Sequence, residues 1–198
     1  MASELDLELI VGESFIHIVR WETTPIIYAP ITGITQAAPV QIAAPLHGIP
    51  NGWRAAVVSV LGMSQINASN TPPKNSDYVP VTYIDGNTVQ LNTINAAGFS
   101  TYKSGGYLQY NTPVNLIGYT AKMKIEAVLG GPTILGTDAN TITALIDPVA
   151  CTITFTATAA NTATVVASSG VYSIEMTSPT GVVTVLHYGT VTFDSDIT

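Results

Sequence analysis

Hydrophobic and polar positions alternate along most of the chain. Leu5, Leu7 and Leu9 alternate with Asp6 and Glu8. A period of two predicts a half-buried strand, because successive side chains of a strand point to opposite faces. Gly12 interrupts the run, and residues 15–21 (FIHIVRW) predict a second strand from their aromatic and β-branched content. Thr24, Pro25 and Pro30 predict that this extended stretch ends or follows a sheet edge, since proline supplies no ladder donor. The clearest alternation sets Tyr119, Ala121, Met123 and Ile125 against Thr120, Lys122, Lys124 and Glu126. Its period is two rather than 3.6, so it predicts strand and not helix. Further strands are expected over 142–146, 151–157, 171–176, 182–188 and 190–193. A short helical turn is expected within 161–167, and a turn at Ser178-Pro179-Thr180-Gly181.

The middle of the chain, 34–110, has a different texture, with strands cut more often by Gly, Pro and Asn. Strands are expected over 35–42, 53–60, 79–84, 88–91 and 107–110. Pro39 places the first of these at an edge. Pro50-Asn51-Gly52 marks a turn, and Asp85-Gly86-Asn87 marks a hairpin in which glycine accepts positive φ. Residues 63–78 read as a surface loop with room for a short helical piece. About a dozen short strands with little helix predict an all-β protein. The expected architecture is an Ig-like β-sandwich host domain, 1–33 and 111–198, with a small β-barrel domain, 34–110, inserted at a surface loop. Trp21 is expected near the junction of the two.

Composition narrows the function. Of 198 residues, 46% are apolar, enough for a real core, but only 10% are charged, against roughly 25% in an ordinary globular chain. Thr, Ala, Asn, Ser and Gly take up the difference. They give a neutral, hydrogen-bonding surface suited to contact with neighbouring proteins. The formal net charge is −7 with six Lys plus Arg, and the pI is near 4.6. Nucleic acid is therefore not expected as a partner, since phosphate binding needs clustered cations. One cysteine, Cys151, excludes a disulfide framework within the chain and is expected to point into the core from a strand. The opening residues lack the basic and long apolar regions of a secretory leader. No apolar run reaches the roughly 20 residues of a membrane-spanning helix, so no membrane is expected as a partner.

No catalytic constellation emerges. His17, His47 and His187 have no metal-ligand spacing, and one cysteine cannot complete a zinc set. The acids Glu22, Asp77, Asp85, Glu126, Asp138, Asp147 and Glu175 are scattered, with none marked as a glycosidase pair. Neither a nucleophile elbow nor a phosphate-binding glycine loop is present. The expectation is no enzyme, no cofactor and no metal. The candidate contact surface is Tyr102, Tyr107 and Tyr110 beside Gly105-Gly106, with Trp53, because aromatic side chains give large contact area at low entropic cost.

Two stretches carry a resemblance. The pattern ITQAAPVQIAAPLHGIPNGWRAAVVSVLGM, followed by YIDGNTVQLNTINAAGFSTYKSGGYL, resembles the small β-barrel module that phage tail and virion proteins share with the FCCH domain of ubiquitin-activating enzymes. The matching positions are His47-Gly48-Ile49 with Asn51-Gly52, and Asp85 through Leu91. Leu46 stands where that pattern has glycine. The flanks resemble the N-terminal domain of phage baseplate upper proteins, through VNLIGYTAKMKI at 114–125, the closing VYSIEMTSPTGVVTVLHYGTVTF and the opening LDLELIVGESFIHIVRW. Asn115 and Ile117 depart from the usual Asp and Thr.

The resemblance implies a structural or adaptor protein of a bacteriophage particle. It would be assembled in the host bacterial cytoplasm and carried in the virion. Its partners would be other virion proteins of the tail, neck or baseplate, and symmetric homo-oligomerisation would be natural there. The alternative is a carbohydrate- or receptor-binding module of a tail fibre, working through the tyrosines.

Overall fold

The structure is a computed structural model and describes residues 2–195. The strands, in chain order, are β1 (Ser3–Glu4), β2 (Leu7–Val11), β3 (Phe15–Arg20), β4 (Glu22–Pro30), β5 (Gly33–Ile34), β6 (Val40–Ala43), β7 (Arg54–Leu61) and β8 (Val79–Asp85). They continue as β9 (Thr88–Leu91), β10 (Ser104–Pro113), β11 (Thr120–Glu126), β12 (Thr133–Gly136), β13 (Thr143–Asp147), β14 (Thr152–Ala157), β15 (Ser169–Thr177) and β16 (Val183–Ser195). One α-helical turn, α1 (Ala159–Thr162), and 3-10 turns at Ser64–Ile66 and Asn75–Asp77 complete the elements. The protein is all-β, as the alternation predicts.

Two compact units divide the chain. The first comprises the chain up to Trp21, Asn115–Pro148, and the chain from Thr152 onward. Its larger sheet runs β12–β11–β15–β16, with β1 and β2 both parallel to β16 at different heights. Its smaller sheet is β13–β14–β3. Each presents one buried face: Met123, Ile125, Tyr172, Ile174 and Met176 from the larger, and Phe15, Val19, Ile153, Phe155 and Ala157 from the smaller. Strict alternation in β14 and β15 produces these faces, giving a sandwich-like unit. Trp21 lies edge-on to Tyr119, with centroids 5.5 Å apart.

The second unit comprises Glu22–Val114 with Val149–Cys151. Its antiparallel sheet follows the order β4–β10–β7–β8–β9–β6–β5. The first and last strands of this path are consecutive in sequence. Between them Ile31 N–H donates to the Gly106 carbonyl and Thr32 N–H to the Ala43 carbonyl. β4 occupies an edge, where its prolines cost no ladder bonds. The long register from Tyr107↔Pro30 to Pro113↔Glu22 places residues 22–30 and 111–113 in this sheet, although the sequence texture groups them with the flanks.

The core of the second unit centres on Trp53, Leu108 and Tyr110, surrounded by Val40, Ile42, Ile49, Val81 and Leu91. His47 is buried with them. Its Nδ1 accepts from Ile49 N–H at 3.0 Å, and its Nε2 lies 2.9 Å from the Asp85 carbonyl, to which it donates. The Tyr110 hydroxyl donates to the His47 carbonyl. Asn51 Oδ1 accepts from Tyr83 N–H, and Asn87 Oδ1 from Leu46 N–H. These side chains pin the turn 46–52 to the β8–β9 hairpin. Cys151 differs from expectation: it occupies a turn at φ 53 just before β14 and is buried with the core of the second unit. Its left-handed backbone ends the extended run one residue before β14 begins.

Leu46 also adopts a left-handed backbone, φ 55, with its side chain in solvent. A Cβ costs roughly 1–2 kcal/mol in that conformation, partly offset by the greater chain entropy that glycine brings to the unfolded state. Leu46→Gly is expected to raise stability by about 0.5–1 kcal/mol in urea unfolding. Trp53→Ala is expected to lower it by about 3–5 kcal/mol, read from the loss of β-sheet circular dichroism with urea.

Candidate functional site

The tyrosine-rich segment lies on β10, and strand geometry sorts it. Tyr107 and Gln109 face outward from the sheet core while Leu108 and Tyr110 face inward. Tyr110 is buried and tied to His47. Trp53 has no exposed surface, and its Nε1 donates to the Asn111 carbonyl at 3.1 Å. Tyr102 is half-buried with its hydroxyl within 3.0 Å of the Ile31 carbonyl and 3.1 Å of the Gly105 carbonyl. Of the four aromatic residues singled out in the sequence, Tyr107 alone is well exposed, at 42%.

Its aromatic neighbour is Tyr28 on β4, 53% exposed, with ring centroids 6.2 Å apart and planes at 90°. Tyr28 lies opposite Gln109 in the ladder, one step diagonally from Tyr107. No pattern in residues 22–33 marks Tyr28. Only the β4–β10 register brings it beside Tyr107.

Tyr28 borders an open groove of about 530 Å³ on the second unit. Gln109, Val58 and Ser59 line it from β10 and β7, and the segment 67–73 lines it from the side. Among the described residues no charged one lines it. The side segment is pinned by its own hydrogen bonds. Asn67 Oδ1 accepts from Val60 N–H, and Asn67 Nδ2 donates back to the Val60 carbonyl. The Asp77 carboxylate accepts from Ser69 N–H, Asn70 Nδ2 and Lys74 N–H. Those donors, first the Lys74 backbone amide and then the Asn70 amide, hold the Asp77 carboxyl below its usual range.

Below the groove, Arg54 makes a two-pronged ion pair with Glu22, at 2.5 and 2.8 Å, and lies over the Tyr78 ring. The hydrogen bond to Glu22 is the main cause that raises the Arg54 pKa. Asn111 Nδ2 donates to the same carboxylate. Gln109 Nε2 donates to the Tyr78 hydroxyl at 2.7 Å.

The first unit offers a second surface. On the outer face of its smaller sheet, Ile18, Thr154 and Leu145 are direct cross-strand neighbours, and so are Ile16, Thr156 and Thr143. Ile16, Ile18 and Leu145 are 63%, 53% and 69% exposed. These apolar side chains and threonines form a block bordered on the same face by the row Arg20, Thr152 and Asp147.

His17 and His187 belong to the first unit. Among the described residues the buried Nε2 of His17 has no hydrogen-bond partner. The His187 Nδ1 lies 2.7 Å from the Ser3 hydroxyl. Burial lowers the pKa of both, and in His17 the charge of His187 lowers it further. Among the described residues no group of three or more His, Cys, Asp or Glu is placed to hold a metal ion, and no helix is long and apolar enough to cross a membrane. Compared with protein-family models and with curated proteins, the chain matches none.

Both histidine pKa values lie below 6.5 in the folded state, so the unfolded chain binds more protons as pH falls through that value. Stability is expected to be level above about pH 6.5 and to fall below it. Thermal unfolding between pH 7.5 and 5 checks this, and His17→Gln is expected to flatten the decline.

Proposed function

We propose that the chain is a non-enzymatic structural adaptor of a bacteriophage particle, docking on neighbouring virion proteins of the tail, neck or baseplate. The observation that carries the reading is the exposed apolar block Ile16–Ile18–Leu145 with its threonines on an open sheet face. Scattered exposed apolar side chains are ordinary on a soluble protein, but contiguous ones favour a contact surface. A sheet face offers this surface without moving backbone, because its ladder bonds are already made within the sheet. The low charge of the chain supports the same reading, since few ionic groups would be desolvated on docking. The likeness of both sequence stretches to phage modules supports the class of partner. Repetition of one face around a symmetric organelle would multiply a modest contact into a stable ring.

The test is light scattering of the purified protein, alone and mixed with tail, neck and baseplate proteins of the same particle. The expected result is a discrete oligomer or a stoichiometric complex. Ile18→Asp and Leu145→Asp are expected to weaken it about tenfold or more, by placing a charge in the contact. Thermal unfolding should change little, since both side chains are exposed. A monomer that binds none of these proteins would contradict the reading.

A further inference from the structure

The groove beside Tyr28 has a chemistry of its own, independent of the adaptor reading and placed on the other unit. We infer that it binds a neutral oligosaccharide. Three features point there. First, Tyr28 and Tyr107 stand exposed side by side on one sheet face. A sugar ring has an apolar face of C–H bonds, slightly positive, which complements the negative face of an aromatic ring. Second, the polar groups at hand are amides and hydroxyls. Among the described residues the side-chain carbonyl oxygen of Asn70 has no hydrogen-bond partner, while its NH₂ group is engaged by Asp77; Gln109, only 4% exposed, lies in the lining with its NH₂ group held by Tyr78. The Asn70 oxygen can therefore accept from a hydroxyl at a fixed place. Third, the lining carries no charge. Arg54, below it, is occupied by Glu22. A sialylated or uronate-bearing chain would meet no cation there, on a protein of net charge −7.

The groove is also held in shape before any ligand arrives. Asn67 clamps one end of its side segment to Val60, and Asp77 gathers the other through three donors. Such ordering lowers the entropic cost of binding. A peptide fits less well. Peptides in sheet-lined grooves are gripped through unpaired strand edges or charges; the lining here carries no charge, and beyond the short pairing of β7 with β8 at Arg54–Ala55 the free side of β7 is engaged by Ala68 at Val57 and by Asn67 at Val60.

The experiment is an NMR titration of the isotope-labelled full chain with neutral hexasaccharides of glucose, mannose, galactose and N-acetylglucosamine. At least one is expected to shift the amide resonances of Tyr28 and Asn70 and the side-chain amide of Gln109. Tyr28→Ala is expected to weaken that binding about tenfold or more, with the rest of the spectrum unchanged. Tyr107→Ala, on the neighbouring strand, provides a second variant and is expected to weaken binding to a smaller extent. The inference is overturned if none of the four sugars moves these resonances, or if affinity is indifferent to both substitutions. It is equally overturned if a sialylated oligosaccharide or a proline-rich peptide takes the groove in preference.

Discussion

The antiparallel pairing of β4 with β10 is the contact on which most of the molecule depends. It brings the chain's entry into the second unit, Glu22, opposite its exit, Pro113. The intervening residues can then close a core of their own, while the first unit takes up residues on both sides of them. β10 also pairs with β7 over Ser104–Gln109, so one strand joins the edge to the centre of the sheet. Gly106 makes that approach possible: at φ 90, a Cβ there would stand 2.4 Å from the Val60 side chain. The same pairing sets Tyr28, which lines the groove, beside Tyr107.

Burial of polar groups follows a consistent rule in the second unit. Trp53, Tyr110 and His47 each bury a polar atom, and each spends it on a backbone carbonyl or amide of another segment. An unpaired polar atom in such a place would cost about 1–3 kcal/mol. The hydrogen bonds therefore specify which turn packs on which strand, while apolar burial supplies the stability. The first unit departs from the rule at His17, whose buried Nε2 has no partner among the described residues. That is why acid is expected to act on the first unit.

Much of the fold is legible in the sequence because period two survives in the strands. The strands expected over 119–126, 151–157 and 171–176 appear as β11, β14 and β15, with Met123 and Ile125 of the first buried as the alternation predicts, and Glu126 beside them buried against it. The Asp85-Gly86-Asn87 hairpin and the turn at 178–181 also fall at the expected residues, although Gly86 does not take the positive φ expected of it there. Two features were hidden for physical reasons. Residues 22–30 look like an edge because of their prolines, but which sheet that edge belongs to depends on a pairing with residues 77 to 91 positions away in sequence. Tyr107 and Tyr110 look like one cluster when counted along the chain. Three residues apart on a strand, they face opposite ways, and Tyr28 is the partner that a linear reading cannot supply.

The two units thus present two different surfaces: a sheet face bearing an exposed apolar block in the first and an amide-lined groove with an exposed tyrosine in the second. In the proposed adaptor role the first surface would be the contact face. Quantitative mass spectrometry of density-purified phage particles, washed at high salt, tests it most directly. The account predicts that the chain stays with the particle at a fixed whole-number ratio to its other structural proteins. Loss of the chain on purification, or a ratio that varies between preparations, would contradict it.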